Sequence, residues 1–175
     1  QARQEKELET AKLIQDTLFP EGYTISTDNL IINARNTPAS ECGGDWWFHH
    51  TTDEGKELIV IADATGHGAS AAMVTAMAFA SYNCILEMKT KENKEICPKE
   101  VLTLMNSTLY KAGKGQSTMS ALVCILDPET GELVMANGGH NLPFVIPNDP
   151  TDPRLKNSGK KKRKRRAMII KAGGS

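Results

Sequence analysis

Hydrophobic and polar positions along this chain alternate between two periods, and the switches between them mark its elements. Residues 1–18 contain no Gly or Pro, are rich in Gln, Glu, Ala and Lys, and end before Pro20, which predicts a helix. Leu30–Ala34 and Glu57–Ala62 read as strands, the second an apolar run that stops at Asp63. A small-residue helix is expected over Ala69–Met88, its Ala and Ser positions allowing close backbone packing on a sheet. Pro98 is placed to open another helix, with Val101, Leu102, Met105 and Leu109 as its apolar stripe. Thr118–Leu126 reads as a strand, Asp127–Gly131 as a turn and Glu132–Ala136 as the antiparallel return; Pro143–Ile146 and Ala167–Ile170 are short strand-like runs. Strands flanking two central helices point to an α+β fold in which antiparallel sheet is layered with helices.

The N-terminal helix carries two readings. Leu8, Ala11, Gln15 and Leu18 fall at heptad-like spacing, which suits either a surface helix packed on its own domain or a signalling helix that enters from an upstream domain and pairs with a second copy.

Composition narrows the class. With 175 residues and 39% hydrophobic content the chain can bury the core of one domain, and at 5% aromatic that core is expected to rest on Val, Ile, Leu, Met and Ala. Cys42, Cys84, Cys97 and Cys124 show no paired spacing, which suggests reduced cytoplasmic thiols. The apolar run around Ala71–Ala80 is short and alanine-rich for a bilayer span. Ten of the 21 Lys and Arg lie from Arg154 onward, where there is no acid, so residues 1–153 carry 11 bases against 21 acids, a net of −10. An acidic body argues against nucleic-acid binding and favours a divalent cation. Lys160–Arg166, seven adjacent cations, reads as a solvated loop or an electrostatic docking segment.

Three segments carry candidate chemistry. In Glu41-Cys42-Gly43-Gly44-Asp45-Trp46-Trp47, two glycines allow a tight turn that presents a carboxylate, though a hairpin with a solvated Asp has the same pattern. A Gly-Gly-Asp occurs in cyclic-dinucleotide cyclases, but those need an acid where Trp46 stands. In Ile61-Ala62-Asp63-Ala64-Thr65-Gly66-His67-Gly68, an apolar strand delivers Asp63 into a Gly-flanked loop that also holds His67, a group that titrates near neutral pH. Asn137-Gly138-Gly139-His140-Asn141 sits at a strand end and fits a hairpin loop as well as a site.

These segments, in this order, resemble the PPM-type (protein phosphatase 2C-like) metal-dependent serine/threonine phosphatases, in their bacterial sporulation and sigma-factor-regulator branch. The resemblance runs from Glu7 to Ile146. It covers the Glu7–Gln15 helix with Leu18 and Pro20, Pro38-Ala39, Gly43-Gly44-Asp45, the Asp63–Ala72 segment, the Leu126–Gly131 turn and Ala136–Asn141. It implies an α-β-β-α sandwich of antiparallel sheets flanked by helices, with residues 1–20 as a linker or signalling helix and 21–175 as the phosphatase domain. It also implies two Mn²⁺ or Mg²⁺ ions, with Asp63 bridging them, Asp45 as a further ligand, the Ala64 carbonyl as another, and His67 protonating the leaving oxygen. The family's further aspartates have no counterpart, since no Asp or Glu follows Asp152, and a domain truncated at its C-terminus is expected. The implied partners are a phosphorylated regulatory protein of the anti-sigma-factor antagonist type, an upstream sensor domain and a second copy through the N-terminal helix. A non-catalytic module of the same fold that binds a signalling partner is the alternative.

Overall fold

The strand that organises the domain is the apolar run ending at Asp63. In the computed structural model, which describes residues 2–19, 22–37, 42–146 and 168–169, this run is β4 (Glu57–Ala64). β4 pairs antiparallel on one side with β3 (Asp45–Thr51) and on the other with β5 (Met119–Leu126), which pairs in turn with β6 (Leu133–Gly138); the order is β3-β4-β5-β6. Alternation along β4 puts Leu58, Val60, Ala62 and Ala64 on one buried face, and the register sets Ile125, Val123 and Ala121 of β5 beside the first three.

Two helices close that face. In α2 (Ala69–Lys91), Ala71, Val74, Ala78, Tyr82 and Ile85 are buried, and the small residues let the helix approach the sheet. By length and composition α2 could cross a membrane, yet its apolar side belongs to the core cluster of the domain. In α3 (Pro98–Gly113) Pro98 stands in the first turn, Val101, Met105 and Leu109 are buried, and Lys114 ends the helix in the left-handed conformation. Helix α1 (Ala2–Leu18) runs parallel to α2: Leu8 lies 3.6 Å from the Cβ position of Gly68, Gln15 bonds Thr75, and Phe19 stands edge-on to Phe79. The heptad-spaced face is therefore the one docked on its own domain, with Gln15 and Phe19 buried, while Leu13 and Ile14 are exposed.

Two strands escape the sequence pattern. β1 (Gly22–Ser26) pairs antiparallel with β2 (Ile31–Arg35), and only β2 was expected. β3 was not expected beyond the turn of Gly43-Gly44 that precedes it. Its aromatic run does not alternate because both of its faces are covered: Trp46 packs against Phe19 on the helix side and Trp47 against Tyr23 on the other. The core rests on Val, Ile, Leu, Met and Ala as expected, and the aromatics add a cluster to it. Phe19, Trp46, Phe48, Phe79 and Tyr82, five of the nine in the chain, converge in one cluster with ring centroids 5.0–6.4 Å apart. Each such pair contributes about 0.5–1.5 kcal/mol beyond its area.

Contacts divide the chain into residues 1–140 and 141–175. In the second unit β7 (Phe144–Val145) pairs antiparallel with β8 (Met168–Ile169). Pro20, Pro38-Ala39, Glu41 and the basic run Lys160–Arg166 lie outside the described residues.

The sheet face away from the helices buries a hydrogen-bonded His–Glu pair. His49 Nε2 lies 2.6 Å from Glu57 Oε2, Thr51 Oγ1 donates to the same oxygen at 2.8 Å, and the Tyr23 ring meets His49 edge-to-face. The His49 and Glu57 side chains are 6% and 3% exposed, so removing one strands the other in a dry site. Glu57→Ala should lower the unfolding free energy by about 1–3 kcal/mol, read from the urea midpoint at constant slope.

Candidate active site

Strand pairing brings two of the three candidate segments together. Asp45 opens β3 and Asp63 stands one residue from the end of β4, and the register sets them directly opposite each other on the face away from α2 and α3. Like charges in that relation repel across about 4.5–5.5 Å between their Cβ atoms. The Asp45 carboxyl is accordingly held above its usual range: burial is the largest cause and the Asp63 charge the next, His140 works against them, and a hydrogen bond shared with Asp63 adds to the rise.

The backbone around this pair explains its glycines. Ala64 N–H donates to the Gly44 carbonyl at 3.0 Å, and a Cβ on Gly44 would fall 2.2 Å from the Ala64 oxygen. Gly44 is thus required by a close approach that fixes the Ala64 carbonyl beside the carboxylates. Gly43 is gripped by Gln15 of α1, whose Nε2 donates to the Gly43 carbonyl at 2.7 Å while its Oε1 accepts from the Gly43 N–H at 3.1 Å. The following loop returns to the same place, with Gly68 N–H donating to the Cys42 carbonyl at 3.4 Å, and Gly66 and Gly68 take φ of 104° and 72°. His67 between them is exposed; its carbonyl accepts from Ser70 Oγ at 3.4 Å, and among the described residues no hydrogen bond joins its ring to the carboxylates.

The third segment joins the site from the far side. Ser120 of β5 is directly opposite Asp63, and its Oγ lies 2.8 Å from His140 Nδ1. His140 is held by reciprocal bonds with Asn137, its N–H donating to Oδ1 at 2.8 Å and its carbonyl accepting from Nδ2 at 3.0 Å, across Gly139 at φ 77°. Asp45, Asp63, Ser120 and His140 therefore form one polar row across the end of the sheet. Ser120 was not a candidate from sequence, and His140 was one only as part of its segment. The signal for Ser120 was its place at the start of an apolar strand, visible only once the register is known.

Two carboxylates and a carbonyl are hard oxygen donors, and a divalent cation would relieve the repulsion that lifts Asp45, so the donors suit Mn²⁺ or Mg²⁺. Among the described residues there is no group of three or more His, Cys, Asp and Glu side chains arranged to hold a metal, so these donors supply only part of a coordination shell.

A solved structure shares the architecture. The SiaA-PP2C domain of Pseudomonas aeruginosa matches with a TM-score of 0.60 at 20% identity, over 79% of this chain and 55% of that one. The RsbU and RsbW domains of a Mycobacterium tuberculosis protein match with a TM-score of 0.49 at 23% identity, over 62% of this chain and 28% of that one. The chain thus spans about half of the first of these structures and less of the second. No curated protein matches. The fold, mixed α and antiparallel β with three helices, is that of the PP2C-like phosphatase domains. Within that class the chain belongs to the Stage II sporulation protein E (SpoIIE) family, whose profile matches residues 53–160 and so includes Asp63, His67, Ser120 and His140.

The raised Asp45 group has a sign in stability. The folded protein holds that proton more tightly than the unfolded chain, so its contribution is present below the unfolded carboxylate value and is lost as pH rises through the folded one. At pH 7 without metal, the pair is a net cost. Asp45→Asn should raise the melting temperature in chelator by up to about 4 °C, since exposed pairs are worth about 0–1 kcal/mol, and should remove the pH dependence over that window.

Proposed function

We propose that this domain hydrolyses phosphoserine or phosphothreonine in a small regulatory protein of the anti-sigma-factor antagonist type, as the output of a bacterial signalling protein. The observation that carries the reading is the direct opposition of Asp45 and Asp63 beside the Ala64 carbonyl, at the end of a rigid sheet. Two Mn²⁺ or Mg²⁺ ions, when bound, supply charge neutralisation and a more acidic water. Asp63 and Asp45 hold them with the Ala64 carbonyl, and His67, exposed in its glycine loop, delivers a proton to the leaving serine or threonine oxygen. The domain of this proposal is 21–175, it acts in the cytoplasm, and it takes no nucleic acid.

Asp63→Asn keeps the shape and removes the charge. It should cost about 10²-fold or more in Mn²⁺-dependent turnover of a phosphopeptide, with the melting temperature in chelator no lower than that of the unchanged protein; activity within about threefold of the unchanged protein refutes the assignment. The second reading, a binding module without catalysis, draws on the incomplete donor set among the described residues. It predicts binding of the phosphorylated partner with no turnover at any Mn²⁺ concentration.

Residues 1–20 are, in this proposal, a linker that carries a signal from an upstream sensor, and a second copy pairs through this helix. The Gln15 grip on Gly43 supports the role, because a shift of α1 moves the backbone two residues before Asp45. Gln15→Ala should lower turnover about tenfold, a barrier change of about 1.4 kcal/mol, while circular dichroism shows the helix retained. Unchanged turnover would leave α1 a packing role alone.

A further inference from the structure

The Ser120–His140 pair has no part in the scheme above, yet it stands in the same row as the carboxylates. Adjacent strands lie about 4.8 Å apart, so the row sets Ser120 one strand from Asp63 and two from Asp45, with His140 next to Ser120. At one end of the row are two acidic groups; at the other is an imidazole whose backbone is fixed by both Asn137 bonds and the left-handed Gly139. Such a fixed ring is preorganised and loses little freedom on meeting a ligand.

We propose that Ser120 and His140 form an arm of the site that contacts the phosphoryl group. With Ser120 Oγ–H donating to His140 Nδ1, the ring proton stands on Nε2, and Nε2–H donates to a non-bridging phosphoryl oxygen of a substrate drawn to the cations that Asp45 and Asp63 would hold. The inference rests on the phosphatase reading and adds to it a residue that touches substrate. Its chemistry is complementary. The carboxylates hold cations and repel a phosphate, so an N–H donor beside them supplies an attraction that they lack. This role differs from that of His67, which acts on the leaving oxygen. If the Ser120–His140 bond served the turn alone, changing His140 would alter stability and nothing else.

The test uses His140→Ala, His140→Gln, His140→Asn and Ser120→Ala in the whole protein. The Gln amide nitrogen reaches roughly where imidazole Nε2 stands, and the Asn nitrogen where Nδ1 stands. Three quantities are read: kcat/KM with Mn²⁺, the affinity for inorganic phosphate with Mn²⁺ present, and the affinity for Mn²⁺ alone by calorimetry. His140→Ala should lower kcat/KM by about 10²-fold and weaken inorganic phosphate by about tenfold, with Mn²⁺ affinity within about threefold. His140→Gln should restore about tenfold of the loss and His140→Asn none. The loss should be the same for a phosphoserine peptide and an aryl phosphate, because the contact is not to the leaving oxygen. Ser120→Ala should give a smaller loss of the same kind, and it decides the matter together with His140→Gln if His140→Ala does not fold. The proposal is overturned if phosphate binding is unchanged in the folded variants, if Mn²⁺ affinity falls in step with activity, or if His140→Asn restores as much as His140→Gln. Absence of any turnover by the unchanged protein sinks the phosphatase reading instead. In that case His140-dependent binding of inorganic phosphate sustains the arm, and phosphate binding that ignores His140, or none, overturns it.

Discussion

The candidate site depends on one close approach between backbones. Gly44 and Ala64 meet where β3 begins and β4 ends, with the Ala64 N–H on the Gly44 carbonyl and no room for a side chain between them. That contact sets the register from Asp45↔Asp63 to Thr51↔Glu57, and because side chains alternate with a period of two, a slip of one residue would send Asp45 and Asp63 to opposite faces. It also sets two carboxylates side by side, where their charges repel. The protein holds there an arrangement that costs stability, which is a recurrent property of functional sites.

Everything packed around the contact keeps it in place. The aromatic cluster of Phe19, Trp46, Phe48, Phe79 and Tyr82 fixes β3 against α2 from the core side. On the other face Tyr23, Trp47 and the buried His49–Glu57 pair hold β3, β4 and the β1–β2 ribbon together. Gln15 ties α1 to the glycine loop by a two-way amide bond, so the helix and the carboxylate pair form one mechanical unit. The arrangement links the N-terminal helix to the site both through Gln15 and through Phe19, which packs on Trp46 in the core.

Local signals account for much that was legible from the residues. The apolar run before Asp63, the glycine loop after it, the small-residue helix from Ala69 and the proline-opened helix from Pro98 all formed near their expected bounds, because each is dictated by periodicity, glycine and proline within a few residues. The Asp127 turn did likewise, its carboxylate accepting from the Glu129 and Thr130 N–H groups. β3 was not legible, since a strand covered on both faces has no alternation to read, and the weight of aromatics in the core was hidden by their scarcity in the chain.

By itself, then, the sequence determined the menu: Asp63 at a strand end, Asp45 after two glycines, His67 in a glycine loop and His140 beyond a strand, each in a local frame that neighbouring residues enforce. Only the tertiary structure decided which of these meet. It joined Asp45 to Asp63, added Ser120 and His140 to their row, and left the His67 ring exposed. The reason is physical: the pairing register of strands far apart in the chain is set by the packing of the whole sheet against its helices, and no window of neighbouring residues contains that information.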